Sequence, residues 1–294
     1  MSDEHSLRVY RELQALARSR YGGNTGALLV VYGVEGFLRR LAVSPHASAM
    51  TLKGGMLMAA TSARRMTKDA DLSTVGIAHD QARVADVVSE IVGTVLANDD
   101  GLIYDTESIR TEVMREEAEY HGVRVKLLAH LATARMTATL DFSFGDPHRS
   151  VIVELPELLG HTKIRLFCYP PEMTLAEKIA TMMSRRELNT RDRDFADVWV
   201  LSRSLDLPAS VLRSAIREVA AHRRHAVVPL SEALAKMPDR QTPNRAMLTR
   251  MSYQRIPPGL WDELLADVKA FVDPLIASAD GELTSWNASA LRWT

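Results

Sequence analysis

Two glycines and two aspartates, Gly54, Gly55, Asp69 and Asp71, most constrain how this chain folds. Each pair borders a short apolar run of the kind that forms a β-strand. Side chains two residues apart in a strand share a face, so the two carboxylates of the Asp-x-Asp pair point the same way. The sequence therefore predicts a strand that ends at a glycine turn and a second strand that carries two adjacent acids.

These two features together indicate phosphate and metal chemistry. Mg²⁺ is held in proteins by one or two carboxylates together with substrate phosphates and water. Glycines allow backbone N–H groups to approach phosphates closely, and a short helix predicted over Met56 to Thr61 would add the positive end of its dipole. A nucleoside triphosphate held by its phosphates fits this pattern. Taken alone, the glycine pair is also typical of an ordinary turn, and the aspartate pair is also typical of a solvated strand end or a helix cap.

A third acid, Asp141, lies between Leu140 and Phe142 in a run that predicts a strand over 136–144. One interpretation is an edge strand on which Asp141 faces water. The other is a carboxylate that strand pairing brings beside Asp69 and Asp71, where three acids would allow a second Mg²⁺. Asp146, in the following turn, is the weaker candidate.

Two clusters resemble the AbiEii-type nucleotidyltransferase toxins, including their MenT group. The first is Lys53-Gly54-Gly55 followed by Arg65-x-Thr67-x-Asp69-x-Asp71-Leu72. The second is an Ala-Glu-Lys ending at Lys178, followed by the run from Arg193 to Asp197. The resemblance covers roughly residues 25–205. The wider superfamily usually has Gly-Ser where this chain has Gly-Gly, so here no serine hydroxyl assists in holding phosphates. Ala70 is smaller than the branched residue often found between the acids.

The resemblance implies roles for these residues. Asp69, Asp71 and Asp141 would bind Mg²⁺ or Mn²⁺, and Asp141 would assist activation of the acceptor hydroxyl. Lys178 would contact the triphosphate or base of the NTP substrate, and Asp194 and Asp197 would face the cleft from the second lobe. The residues expected to bind nucleotide are Lys53, Gly54, Gly55, Thr67, Lys178, Arg193 and Asp194, and the expected catalytic residues are Asp69, Asp71, Asp141, Lys178 and Asp197.

The activity implied by the resemblance is transfer of NMP to the 3′ acceptor end of tRNA, which blocks aminoacylation and translation. The partners would be tRNA and a cognate antitoxin protein. Two alternatives remain open: an enzyme of the same fold that modifies a protein or a small molecule, and a non-catalytic nucleotide-binding or partner-binding module. A further hypothesis is that phosphorylation of Thr67 places negative charge beside the metal site and repels the triphosphate.

The 294 residues suffice for one large domain or two modest ones. Strand patterns end near residue 170, and the remainder is predicted to be helical. We therefore expect an α/β (α+β) protein in two lobes: residues 1–170 form a nucleotidyltransferase-fold mixed sheet with flanking helices, and residues 171–294 form a helical domain.

Composition indicates a cytoplasmic protein. No apolar run is long enough to span a bilayer, so no membrane association is expected, and the N-terminus is too polar for a signal peptide. Cys168 is the single cysteine, which excludes an internal disulfide, and its apolar neighbours predict a buried side chain. A net charge of −1 argues against bulk electrostatic coating of nucleic acid.

The remaining regular structure is predicted from periodicity. The expected helices cover 7–21, 25–41, 80–96, 208–222 and 260–276. The expected strands, besides those at the acids, cover 108–115, 123–128 and 163–169. The tryptophans Trp261, Trp286 and Trp293 are expected to pack in the interior more readily than to stack on nucleotides.

Overall fold

The computed structural model describes residues 2–58, 67–115, 121–147, 149–160, 163–250 and 255–294. The described residues form two compact units. The first comprises residues up to 58 and from 67 to 168, and the second comprises Tyr169–Thr294.

Four helices belong to the first unit as described: α1 (Ser2–Arg20), α2 (Thr25–Val43), α3 (Gly54–Met58) and α4 (Gln81–Val92). The side chain of Asn24 caps α2 by accepting a hydrogen bond from the Ala27 N–H. Asp80 caps α4 in the same way. The sequence predicted α4 to reach residue 96, which is wrong: the helix ends before Gly93, and Val95 is exposed.

The described strands of the first unit form one seven-stranded mixed sheet in the order β3-β4-β5-β2-β1-β7-β6. β2 pairs parallel with β5, β1 pairs parallel with β7, and the other neighbours are antiparallel. The strands are β1 (Met50–Lys53), β2 (Asp69–Thr74), β3 (Leu102–Arg115), β4 (His121–Leu131), β5 (Ala134–Phe144), β6 (Val151–Pro156) and β7 (Lys163–Cys168). The sequence prediction missed β6 and began β3 six residues too late, at Ser108 rather than Leu102.

Strand alternation gives the central sheet one apolar face and one polar face. The apolar face carries Leu52, Leu72, Phe142 and Val123, all at most 1% exposed. Helix α2 packs on this face, and α4 packs against α2 and β3. The opposite face carries the charged residues of β1, β2, β5 and β4. Asp69, Asp71 and Asp141 therefore lie on the face that α2 does not cover.

A buried ionic network fixes α2 to the start of β3. Arg40 makes two hydrogen bonds to the Asp100 carboxylate, at 2.8 and 3.0 Å. Arg39 contacts Glu35 and Glu157, each at 2.6 Å, and Asp100 at 3.3 Å. Buried charges of this kind are tolerated because each has a counter-charge and hydrogen bonds.

The second unit is mainly helical in its described part. Its helices are α5 (Pro171–Arg185), α6 (Asp192–Ser202), α7 (Ala209–His222), α8 (Leu230–Ala233), α9 (Gln241–Arg250) and α10 (Trp261–Ala277). The prediction that everything beyond residue 170 is helical is wrong, because three short strands form a small sheet in the order β10-β9-β8. They are β8 (Leu207–Pro208), β9 (Ser285–Asn287) and β10 (Arg292–Trp293).

Aromatic packing organises the interior of the second unit. Trp261 and Trp286 are 2% and 3% exposed and contact Phe195 and Phe271 edge to face. The Trp293 ring stacks on Phe271, and its indole N–H donates to the Phe271 carbonyl at 2.8 Å. These tryptophans are therefore packing residues, as predicted.

Two further sequence predictions concern Cys168 and membranes. Cys168, at the end of β7, is fully buried, and burial raises the pKa of its thiol to about 12. None of the helices in the described part of the chain combines the length and apolar character needed to span a bilayer.

Candidate functional site: a charged row across the sheet

A continuous row of charged residues crosses five neighbouring strands of the first unit. In strand order, β1 to β2 to β5 to β4 to β3, the paired residues are Lys53, Asp71, Asp141, Arg124 and Glu112. Paired residues on neighbouring strands share a face, so all five belong to the polar face of the sheet. The two acids at its centre have a cation on either side.

Asp69 belongs to the neighbouring row on the same face. It precedes Asp71 by two residues on β2 and pairs with Thr139 of β5. The parallel pairing of β2 with β5 thus brings Asp69, Asp71 and Asp141 to one region of the sheet. Because β5 lies in the interior of the sheet and Asp141 is 8% exposed, the edge-strand interpretation of Asp141 is wrong.

Gly54, the first of the two glycines, lies beside the Asp71 carboxylate. Gly54 has a φ of +69°, which favours glycine, and it begins α3, earlier than the predicted start at Met56. The end predicted for this helix, near Thr61, lies outside the described residues. A Cβ atom on Gly54 would lie 2.1 Å from Asp71 Oδ2. Gly54 therefore provides both the backbone conformation and the space that Asp71 requires.

Lys53 is engaged by an acid that sequence reasoning ranked low. Its ammonium lies 2.6 Å from Oδ2 of Asp146, and both side chains are largely buried. The Ser143 hydroxyl also hydrogen bonds to Asp146. The turn after β5 thus returns Asp146 to the end of β1, where it fixes the position of the Lys53 charge.

Arg124 is the neighbour of Asp141 on the other side. Its Nε donates to Asp141 Oδ1 at 2.7 Å, and its Nη2 donates to Oδ2 at 2.6 Å. Hydrogen bonding to Asp141 raises the pKa of the guanidinium, and the charges of Asp141, Glu112 and Asp69 act in the same direction against the opposing effect of burial. Sequence reasoning missed this residue. Its signal was the alternation from Val123 to Leu127, which places Arg124 on the polar face.

The donor set fits a hard divalent cation. Carboxylate oxygens are the protein ligands that Mg²⁺ prefers, and Gly54 leaves space beside Asp71 that a Cβ would fill. Within the described residues, however, no three His, Cys, Asp or Glu side chains are grouped to hold a metal ion. Both oxygens of Asp141 hydrogen bond to Arg124. Suitable cation ligands therefore lie on neighbouring strands, at Asp69, Asp71 and Asp141. The carboxylate of Asp141, however, already binds Arg124.

The second predicted cluster comes together within the second unit. The Lys178 ammonium, on α5, lies 2.8 Å from Asp194 Oδ1 and 2.8 Å from Asp197 Oδ2, both on α6. Asp197 is completely buried and Lys178 is 9% exposed. Lys178 is therefore not a solvated lysine on a helix surface, the ordinary expectation for a lysine next to Glu177. Arg193 is exposed and lies outside this contact.

Thr67 precedes β2 and is 4% exposed. Its hydroxyl has no hydrogen-bond partner among the residues that the structure describes. Because the side chain is buried, a phosphorylating enzyme reaches this hydroxyl only after local rearrangement. The role of Thr67 phosphorylation stays a prediction.

This mixed sheet, with an Asp-x-Asp strand next to a glycine pair, has the architecture of a nucleotidyltransferase. The family model for the nucleotidyl transferase AbiEii toxin of type IV toxin–antitoxin systems matches residues 36–288. Since the match spans most of the chain, the protein belongs to this family of nucleotidyltransferase toxins.

Two solved structures from Helicobacter pylori are similar to the chain. JHP933 is 14% identical with a TM-score of 0.43, and the alignment covers 72% of this chain and 84% of that one. A second structure, of a protein provisionally described as a nucleotidyltransferase, is 13% identical with a TM-score of 0.43 and covers 70% and 80%. No curated protein sequence matches the chain significantly.

Proposed function

We propose that this protein is a Mg²⁺-dependent toxin that transfers a nucleoside monophosphate from an NTP to the 3′ acceptor end of tRNA. The observation that carries the proposal is the pairing of Asp71 with Asp141 on adjacent parallel strands, with Asp69 on the same face. Gly54, at the end of β1, lies next to the Asp71 carboxylate. Membership of the nucleotidyltransferase toxin family supports the reaction class.

The proposed reaction is a substitution at the α-phosphorus of the NTP. The 3′ hydroxyl oxygen of the acceptor forms a bond to the α-phosphorus, and the bond from that phosphorus to the oxygen of the β-phosphate breaks. Pyrophosphate leaves, and the hydroxyl proton passes to a base. Catalysis of this kind depends mainly on positioning and on stabilisation of charge.

The chain supplies residues for each of these tasks. Asp69, Asp71 and Asp141 would hold the cation, which when bound neutralises phosphate charge and lowers the pKa of the attacking hydroxyl. Asp141 would assist activation of that hydroxyl. The glycine amides at 54 and 55 and the ammonium of Lys53 would hold phosphates.

Lys178 would contact the triphosphate or base of the nucleotide, as the resemblance of its cluster implies. Its contacts with Asp194 and Asp197 hold the ammonium in one place, which reduces the freedom lost on binding. Arg193, exposed on α6, would provide a further positive charge for the nucleotide.

Transfer RNA is proposed as the acceptor because of the resemblance of both residue clusters to the AbiEii and MenT toxins. Nucleotides added to the 3′ end block aminoacylation and therefore translation. The toxin–antitoxin family implies a cognate antitoxin that restrains the protein. Positive charges such as Arg193 would supply local phosphate contacts, since a net charge of −1 provides no general attraction to RNA.

The test incubates purified protein with total tRNA, Mg²⁺ and each α-³²P-labelled NTP in turn, with products resolved on a denaturing gel. Asp71→Asn removes one proposed ligand oxygen with little change in volume. Glu112→Gln is the matched control, because it neutralises an exposed acid in the same row. Label on tRNA with the wild type and Glu112→Gln, but not with Asp71→Asn, supports the proposal.

Other results identify the alternatives. In parallel reactions, label on an added protein or small-molecule acceptor instead of tRNA would indicate a different substrate. No label on any acceptor, with nucleotide binding retained, would indicate a non-catalytic module. Equal labelling by Asp71→Asn and wild type would refute the role of Asp71.

A further inference from the structure

The bridge between Arg124 and Asp141 occupies the carboxylate that the proposed cation site needs. The register of β4 and β5 places the two residues opposite each other. The guanidinium engages both carboxylate oxygens through parallel hydrogen bonds of 2.7 and 2.6 Å. A paired geometry of this kind is the strongest contact that arginine makes with a carboxylate.

Arg124 also compensates charge beyond its direct partner. Asp69 and Glu112 both stabilise its positive charge electrostatically, and Glu112 Oε1 lies 3.9 Å from Arg124 Nη1. The guanidinium is therefore a positive charge placed beside the acids of β2 and β5. A divalent cation held by the same acids would meet repulsion from it, because like charges a few ångströms apart interact strongly near a protein surface.

The Arg124 side chain is exposed enough to move away from Asp141. Its side chain is 35% exposed, whereas that of Asp141 is 11% exposed. An arginine whose side chain is partly in solvent regains hydration when it leaves a carboxylate, and this hydration offsets part of the loss of the two hydrogen bonds. The fully buried Asp197 beside Lys178 has no such freedom.

We propose that Arg124 competes with the divalent cation for Asp141 and so sets the cation concentration at which the site fills. The inference rests on the proposed function, because it requires that Asp69, Asp71 and Asp141 bind a cation. It assigns to Arg124 the role of an internal counter-charge that holds the acids together until the cation arrives. Arg124 is in this sense a positioning residue.

The experiment measures cation binding by the full chain without any reaction. Mn²⁺ and Mg²⁺ are titrated calorimetrically into wild type and Arg124→Gln, and thermal unfolding is recorded with and without cation. Without arginine the acids lose their counter-charge, so the cation-free variant unfolds at a lower temperature. Cation binding should tighten about tenfold, since the neighbouring positive charge is gone. The cation-induced rise in unfolding temperature should therefore exceed that of wild type.

Lys126→Gln is the matched control. Lys126 lies two residues further along β4 on the same face, and it contacts Glu112 at 3.2 Å. The substitution removes the same charge without touching Asp141, so cation affinity should change by less than about threefold. Arg124→Lys keeps the charge, and its cation affinity should stay close to that of wild type.

The outcomes separate the inference from the proposed function. Tightening with Arg124→Gln but not with the two controls supports competition. Equal or weaker binding by Arg124→Gln, with Asp71→Asn abolishing binding, overturns competition and leaves the cation site intact. Absence of cation binding by wild type overturns both the inference and the cation site of the proposed function.

Discussion

Asp71 of β2 and Asp141 of β5 lie directly beside each other across a parallel strand pair. Neighbouring strands are about 4.8 Å apart, so two like charges face the same side at close range. Lys53 flanks the pair on β1 and Arg124 flanks it on β4. The row thus has its own counter-charges, so the two neighbouring acids are stabilised without a bound cation.

Gly54 leaves space for the Asp71 carboxylate, and Gly54→Ala tests whether activity needs that space. The new Cβ would lie 2.1 Å from Asp71 Oδ2, so the carboxylate must move. Displacement of a catalytic group by an ångström can lower a rate roughly 10²-fold. Nucleotide transfer and urea unfolding of the variant measure the effects on activity and on stability.

Gly76→Ala provides the control for the backbone conformation. Gly76 has a φ of +72°, close to the +69° of Gly54, and nothing lies within 4 Å of its hypothetical Cβ. Each variant should lose about 1–2 kcal/mol of stability from the left-handed conformation. Only Gly54→Ala should also lose activity. Equal loss of activity by both variants would show that contact with Asp71 is unimportant.

The sequence predicted the strands that carry the candidate acids better than the contacts that these acids make. The Asp-x-Asp strand and the strand at Asp141 follow from local alternation, and local alternation is visible in a single sequence. The hydrogen bonds from Arg124 to Asp141 and from Lys53 to Asp146 depend on strand register and on a turn. Such pairings join residues distant in the chain, and no local pattern specifies them.

The strands that the sequence prediction missed or misplaced are short, interrupted or at the edge of a sheet. β6 is an edge strand with Val151 and Ile152 half exposed and Pro156 at its end, so its pattern resembles a loop. The strands of the small sheet in the second unit are two or three residues long, too short for periodicity. The pairing register of β3 with β4 changes between Asp105 and Arg110, and this irregularity interrupts the alternation of β3.

Asp100 holds the buried Arg40 and the partly buried Arg39, and Asp100→Asn should destabilise the first unit. Its carboxylate contacts Arg40 at 2.8 Å and Arg39 at 3.3 Å, and the residue is 6% exposed. Removing one partner of a buried ionic pair leaves uncompensated charge and typically costs about 3–5 kcal/mol. Urea unfolding measures the free energy of unfolding. Glu107 is an exposed acid on β3, so Glu107→Gln should change this free energy little. A small loss with Asp100→Asn would mean that the carbonyls of Gly36 and Leu102 suffice for Arg40.

Burial of Cys168 predicts a specific dependence of stability on alkaline pH. Burial raises the pKa of the thiol from 9.0 to about 12. Above pH 9 the unfolded thiol loses its proton while the folded thiol keeps it, so the unfolded state binds fewer protons and stability falls as pH rises toward 12. Below pH 9 both states are protonated and the thiol contributes no slope.

Cys168→Ala isolates this contribution from lysine and tyrosine titration, which both proteins share. Urea unfolding at several pH values above 9 should show a steeper loss of stability in wild type than in the variant. Iodoacetamide should modify Cys168 only after denaturation, since the thiol is buried. Rapid modification of the folded protein at pH 8 would contradict the assigned burial.

Lys178 and Asp197 should depend on each other for stability, as a double-mutant cycle would show. Lys178→Met leaves the fully buried Asp197 carboxylate without its ammonium partner at 2.8 Å, and Asp197→Asn removes one of two acids from Lys178. The double variant should lose less stability than the two single variants together, with a coupling energy of about 0.5–3 kcal/mol. The exposed pair Lys163 and Glu154, 2.9 Å apart, should show no measurable coupling in the same cycle. If the buried pair couples as weakly as the exposed one, Lys178 is not fixed by Asp197. Loss of nucleotide binding in a folded Lys178→Met variant would then reflect a direct contact rather than a lost support.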